Sequence, residues 1–250
     1  MKSVVALRSK DIGWIAFFAL VLLSWVLMFQ MARGDSWICG ADEIRLLPFG
    51  GFTALWPMWS VMVGAMMLPT LVPVLVAFNG LPAATGRSPV GWWGLVTGYS
   101  LVWLAASVGF AGLQVLALRN GWLEQTGIVS SQWSAAALLA VAGFWQFTRG
   151  KEACQTGCML PVHYFLARWR PGFAGGARMG VDFGANCVGC CWAIMALAFV
   201  GGMTSLLWMG LATAFMVAEK LPQVGRLLRR PAGGVLLAAA AYVAYQATIN

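Results

Sequence analysis

Residues 183–218 read FGANCVGCCWAIMALAFVGGMTSLLWMGLATAFMVA, 36 positions without one charged side chain. A single helix of that length would extend about 54 Å, against a hydrocarbon core of about 30 Å. Gly201-Gly202 supplies a natural break in the middle. The stretch therefore reads as two consecutive apolar helices, about 183–202 and 204–218. Working outward, the same kind of run recurs at about 12–31, 56–78, 92–118, 133–149 and 233–248. The expected fold is all-α: a polytopic membrane helix bundle of about seven transmembrane helices, forming one integral membrane domain over residues 1–250.

The basic residues orient the chain. With seven spans and the N-terminus inside, inner segments hold Lys2, Arg8, Lys10, Arg87, Arg149, Lys151, Arg168, Arg170, Arg178, Lys220, Arg226, Arg229 and Arg230. The outer side keeps Arg33, Arg45 and Arg119. Crossing 183–218 only once would move the last four inner cations outside. The positive-inside rule thus favours N-in and C-out, in what reads as a bacterial inner membrane. The first apolar run follows Lys2, Arg8 and Lys10 but is too long for a signal peptide, and no small-x-small site follows it. It is expected to stay as the first helix.

Composition excludes several classes. The chain is 60% hydrophobic and 10% charged, where a soluble domain carries about 25% charged residues. The net charge of +8 has its explanation in inner loops, and no basic-aromatic repeat points to nucleic acid. One histidine rules out a bis-histidine haem or a histidine-rich di-iron site. No phosphate-binding glycine motif or nucleophile elbow occurs. Carboxylates are nearly missing from the span centres, which argues against an ATP-driven pump or a proton relay.

Chemistry concentrates in sulfur. Cys154-Gln-Thr-Gly-Cys158 and Cys187-Val-Gly-Cys190-Cys191 hold five of the six cysteines. On a helix starting near 183, Cys187 and Cys191 share a face and Cys190 lies on the adjoining stripe. Three thiols on one turn can meet one ion, and Met195 extends their face. Both clusters are expected near the inner leaflet, where thiols stay reduced and bind metal rather than cross-link. In the second apolar run Met58, Met62 and Met66 are four apart with Met67 beside them, and thioethers suit Cu(I). A methionine stripe at this spacing is otherwise ordinary packing, as is a single buried cysteine. His163, on the amphipathic stretch 162–170, is a further candidate ligand. Loop 150–182, carrying Cys154, Cys158 and His163, reads as the longest inner connection and a candidate exit route. Pro69 and Pro73 should bend the inner half of their helix and free carbonyls. Lys151, Glu152, Asp182, Glu219 and Lys220 fall at span ends, where the commoner role is an interfacial pair or a snorkelling lysine.

The ordered set Trp59-Ser-Val-Met62-Val-Gly-Ala65-Met66-Met67-Leu-Pro69, Lys151-Glu-Ala-Cys154-Gln-Thr-Gly-Cys158, Cys187-Val-Gly-Cys190-Cys191-Trp192-Ala-Ile-Met195 and Glu219-Lys220 resembles the DUF2182 family, described as predicted metal-binding integral membrane proteins. The resemblance spans about residues 55–225 and implies a metal ion. Cys39, in the outer loop, lies outside these motifs. The leading expectation is soft-metal handling or translocation, Cu(I) before zinc. The ligand candidates are Cys154, Cys158, Cys187, Cys190, Cys191, Met62, Met66, Met67, Met195 and His163. The expected surroundings are the lipid bilayer and a metallochaperone or membrane-complex partner, with no nucleic acid. A membrane thiol-disulfide protein and a structural subunit are the alternatives.

Overall fold

A computed structural model describes residues 9–33, 51–82, 85–86, 88–124, 126–203 and 205–249. Cys39 and the acidic outer-loop residues Asp35, Asp42 and Glu43 lie outside them. The described residues are helical apart from turns and one isolated bridge, Leu123 to Val129. The order is α1 (Ser9–Arg33), α2 (Phe52–Met67), α3 (Val72–Gly80), α4 (Pro89–Arg119), α5 (Gln132–Trp145), α6 (Arg149–Met159), α7 (Pro161–Arg168), α8 (Gly172–Ala196), α9 (Ala198–Gly201), α10 (Leu206–Glu219) and α11 (Gly225–Ile249).

All seven apolar segments are helical, but not all are long. Asp11–Arg33, Phe52–Gly80, Pro89–Arg119, Gly172–Gly201 and Gly225–Ile249 are long and apolar enough to cross a bilayer. Helices α5 and α10 have 14 residues each, about 21 Å, which is short of a full hydrocarbon core. The expected seven spans are therefore five long helices and two short ones. Large apolar side chains point outward from the flanking helices, among them Leu22, Leu227 and Val235 at 65%, 73% and 68% exposed. That outward apolar surface suits lipid contact.

Two expectations change. Residues 150–182 are not a loop: they form α6, α7 and the first turns of α8. The Thr148 hydroxyl caps α6 by accepting from the Lys151 N–H, and Pro161 opens α7 where a missing N–H costs nothing. Helix α8 starts at Gly172, not near 183. Cys187 is thus about 22 Å along its helix rather than one turn inside it.

Glycine explains why α8 extends so far. Gly176, Gly180 and Gly184 recur every fourth residue and lie against Gly91, Leu95 and Val102 of α4, while Gly94 and Gly98 of α4 lie against Phe173 and Ala177 of α8. A Cβ at Gly98 would lie 2.0 Å from the Ala177 carbonyl oxygen, and one at Gly180 would lie 2.2 Å from that of Leu95. Small residues at this spacing let two helix backbones touch, as membrane helices often do. This contact carries Tyr99 of α4 to the cysteine turn of α8.

The prolines act as expected on the backbone of the second span. α2 ends at Met67, and Pro69–Leu71 form a 3₁₀ turn before α3 resumes. The Leu71 N–H bonds to the Leu68 carbonyl, so the Met67 carbonyl is released from the helical ladder. It accepts instead from the Thr70 hydroxyl at 2.7 Å and the Tyr99 phenol at 3.0 Å. At the other break, Gly202 has φ 88°, a left-handed backbone that glycine adopts without strain, and it turns the chain into α10.

Candidate metal centre

The centre is built on one turn of α8. The sulfur atoms of Cys187, Cys190 and Cys191 all lie within 4.8 Å of one another. All three residues are at most 2% exposed. The Cys190 and Cys191 sulfurs are 3.3 Å apart, and the Cys190 thiol donates to the Cys187 carbonyl at 3.3 Å. Thiolates bound to one ion sit about 2.3 Å from it, hence about 4 Å from each other. The three sulfurs therefore fit one soft ion with only small rotamer changes. Among the described residues, all five cysteines are free thiols.

Cys187 is held by a polar network from three other helical segments. The Lys220 ammonium, just past α10, donates to its sulfur at 2.8 Å and to the Thr70 hydroxyl at 2.7 Å. The Tyr99 phenol lies 3.0 Å from the same sulfur and 2.9 Å from Thr70. Lys220 is 3% exposed. A cation so far from water needs an anionic neighbour, and a thiolate at Cys187 would supply one.

A second buried charge pair stands behind the first. Lys151, fully buried on α6, meets the Glu219 carboxylate at 2.9 Å. The Gln155 amide donates to the Glu219 backbone carbonyl at 2.7 Å. One Glu219 oxygen, Oε1, is buried without a hydrogen-bond partner. The expectation of snorkelling or interfacial charges fails at Lys151, Glu219 and Lys220. The short α10 ends inside the bundle, so these side chains turn inward instead of reaching water. Arg229 to Glu152, at 3.3 Å, joins a largely buried guanidinium to a carboxylate that reaches water.

The other candidate ligands divide by location. Cys158 is buried and its thiol interacts with that of Cys190, which brings one residue of the α6 pair to the α8 turn. Cys154 packs elsewhere, over Gly189, where a Cβ would lie 2.6 Å from its sulfur. His163 is exposed on α7. It lines an open cleft of ≈ 770 Å³ with Thr156, Tyr164, Asp182 and Asn186, apart from the three-thiol group. In that cleft the Tyr164 phenol donates to Asp182. Burial and the neighbouring carboxylate together hold Tyr164 above its ordinary pKa. Met62, Met66, Met67 and Met195 are all at most 2% exposed and face the interior.

Thr70 and Tyr99 were not singled out by sequence. Their signals were present but faint: a hydroxyl between two prolines, and a phenol within an otherwise apolar span. The fourfold glycine spacing of α8 was a stronger signal.

A helical bundle of membrane character that buries three thiols beside a lysine has the donor set that suits a soft metal ion, because the donors are sulfur. The family comparison agrees on the metal. Residues 56–243 match the model of the PpoB2 family, described as copper chaperone, and the chain belongs to that family. The match supports the metal-binding side of the DUF2182 resemblance without carrying that label. No curated protein and no solved structure matches the chain.

Proposed function

We propose that this chain is an integral membrane copper handler that takes Cu(I) as cargo on Cys187, Cys190 and Cys191 and passes it on. The observation that carries this reading is three buried thiols on one helical turn with an ammonium against one of them, in a member of a copper-chaperone family. Charge balance narrows the bound state. Cu(I) on two thiolates carries one negative charge, which Lys220 neutralises, and a neutral assembly suits a low-dielectric interior. The third sulfur then serves incoming or outgoing exchange. Zinc would prefer three or four charged or imidazole ligands and a higher charge.

Cys158 is the fourth sulfur in reach. Cys154 and His163 stand further along α6 and α7 and suit release to a metallochaperone or a membrane-complex partner. Met62, Met66, Met67 and Met195 surround the route with neutral thioethers. The chain binds and transfers the ion without catalysing a reaction on carbon. The orientation is N-in and C-out, in a bacterial inner membrane, with the cargo side of α6 and α7 facing the cytoplasm.

Elemental analysis of protein purified in detergent and washed with a moderate chelator tests this. Wild type is expected to retain copper, and the variant Cys187→Ser/Cys190→Ser/Cys191→Ser to lose it. Equal copper in both, or retained zinc in place of copper, would overturn the proposal.

A further inference from the structure

Methionine is placed here with a strong bias. All twelve described methionines are buried, at 7% exposure or less, while outward positions carry leucine, isoleucine, valine and aromatics. Methionine fills irregular gaps in helix interiors, but packing by itself does not require sulfurs from several helices to meet at one point. Five of the twelve meet at one place. Met28 and Met31 of α1, Met58 and Met62 of α2, and Met203 of the α9–α10 turn line one small cavity. Ala32 and Leu206 complete its described wall with apolar side chains.

We infer that this cavity is a second metal site, a thioether-only cage for one soft monovalent cation, Cu(I) or its analogue Ag(I). Its volume is ≈ 10 Å³, about one water-sized sphere, so it admits an ion and no organic ligand. Among the described residues no side chain of the wall carries an oxygen, nitrogen or thiol, so the side-chain ligand on offer is thioether sulfur, which suits soft ions and binds hard divalent ones poorly. Thioethers are neutral, so the bound ion keeps its charge in an apolar setting. The site is therefore weaker than the thiolate site and exchanges faster. The surrounding backbone makes room for the sulfur: a Cβ at Gly127 would lie 2.8 Å from the Met203 Sδ.

The site goes beyond the thiolate centre and draws on α1, which lies outside the family match over residues 56–243. From Met62 to Thr70, which lies in the 3₁₀ turn after α2 and 3.8 Å from the Cys187 sulfur, is about 12 Å along the chain's helical path. Buried Met66 lies between them on α2, and Met195 lies one turn beyond Cys191 on α8. The cage is thus a low-affinity receiving site, from which an ion moves to anionic sulfur. Its chemistry shares the Cu(I) reading of the thiolate centre, while its existence rests on the cavity alone.

Anaerobic titration with Cu(I), and separately with Ag(I), against a competing chelator separates the two sites. Wild type is expected to bind two equivalents, one at least a hundredfold weaker. Met28→Leu/Met31→Leu/Met203→Leu is expected to lose the weak equivalent only. Leucine conserves volume and apolarity, so the fold is kept. Met179→Leu, buried elsewhere, is the control and should keep both. In the Cys187→Ser/Cys190→Ser/Cys191→Ser background the weak equivalent should persist, with thioether sulfur as its only neighbours by X-ray absorption, and should vanish when the three leucines are added. One equivalent in wild type that survives the leucine substitutions would overturn the cage and leave the thiolate centre standing. A weak equivalent bound to nitrogen or oxygen would overturn it as well.

Discussion

Replacing Lys220 with methionine removes the ammonium that touches Cys187 and leaves a side chain of similar length and apolar character. In the copper-bound state the net negative charge is shared between the ion and its sulfurs. Cys187 Sγ lies 2.8 Å from the Lys220 Nζ, and the centre of the shared charge is then about 4 Å away. At that distance, with an effective dielectric constant of about 20, the attraction amounts to about 4 kcal/mol. Thr70 and Tyr99 still offer hydroxyl groups to the sulfur, at 3.8 and 3.0 Å, and recover part of it. A net loss of about 2–3 kcal/mol remains, or about 30- to 140-fold in dissociation constant. The assay is competition with a chromophoric Cu(I) chelator in detergent, on wild type and Lys220→Met side by side. The tight site should keep its stoichiometry and lose affinity. Lys220→Arg should recover part of the loss, since the charge is kept but the guanidinium is larger. An affinity change below threefold in Lys220→Met would refute the counter-charge argument, and the lysine would then serve only to join α10 to the bundle.

The Lys151–Glu219 pair is predicted to behave as a buried ion pair does. Glu219→Gln, which strands a fully buried ammonium, should cost about 3–5 kcal/mol, while Lys151→Met/Glu219→Met should recover most of that in a denaturant titration; equal stability of all three proteins would show the pair to be solvated. Topology reporters placed after Asn79, after Gly172 and at Asn250 should read inside, inside and outside. A cytoplasmic C-terminus would overturn the seven-span reading.

Much of this protein follows from the sequence alone, because in a bilayer the solvent dictates the backbone. An apolar run near twenty residues has to be helical to satisfy its own polar groups, so seven apolar segments read directly as helices. Cysteine spacing was equally local: Cys187, Cys190 and Cys191 share a turn because 3.6 residues make one. The Pro69–Pro73 break was local too. Helix ends were less legible, because Gly172–Asp182 looks too polar and glycine-rich for a span until α4 is seen lying against it. The tertiary structure alone decided what surrounds the sulfur. Lys220, Thr70 and Tyr99 come from segments 33, 117 and 88 positions from Cys187 in sequence, and no periodicity links them. Whether a lysine at a helix end snorkels or turns inward depends on where that end lies in the bundle. Whether a methionine is packing or part of a cage depends on which other helices bring sulfur to the same cavity. Both are consequences of how helices pack, which a linear pattern does not contain.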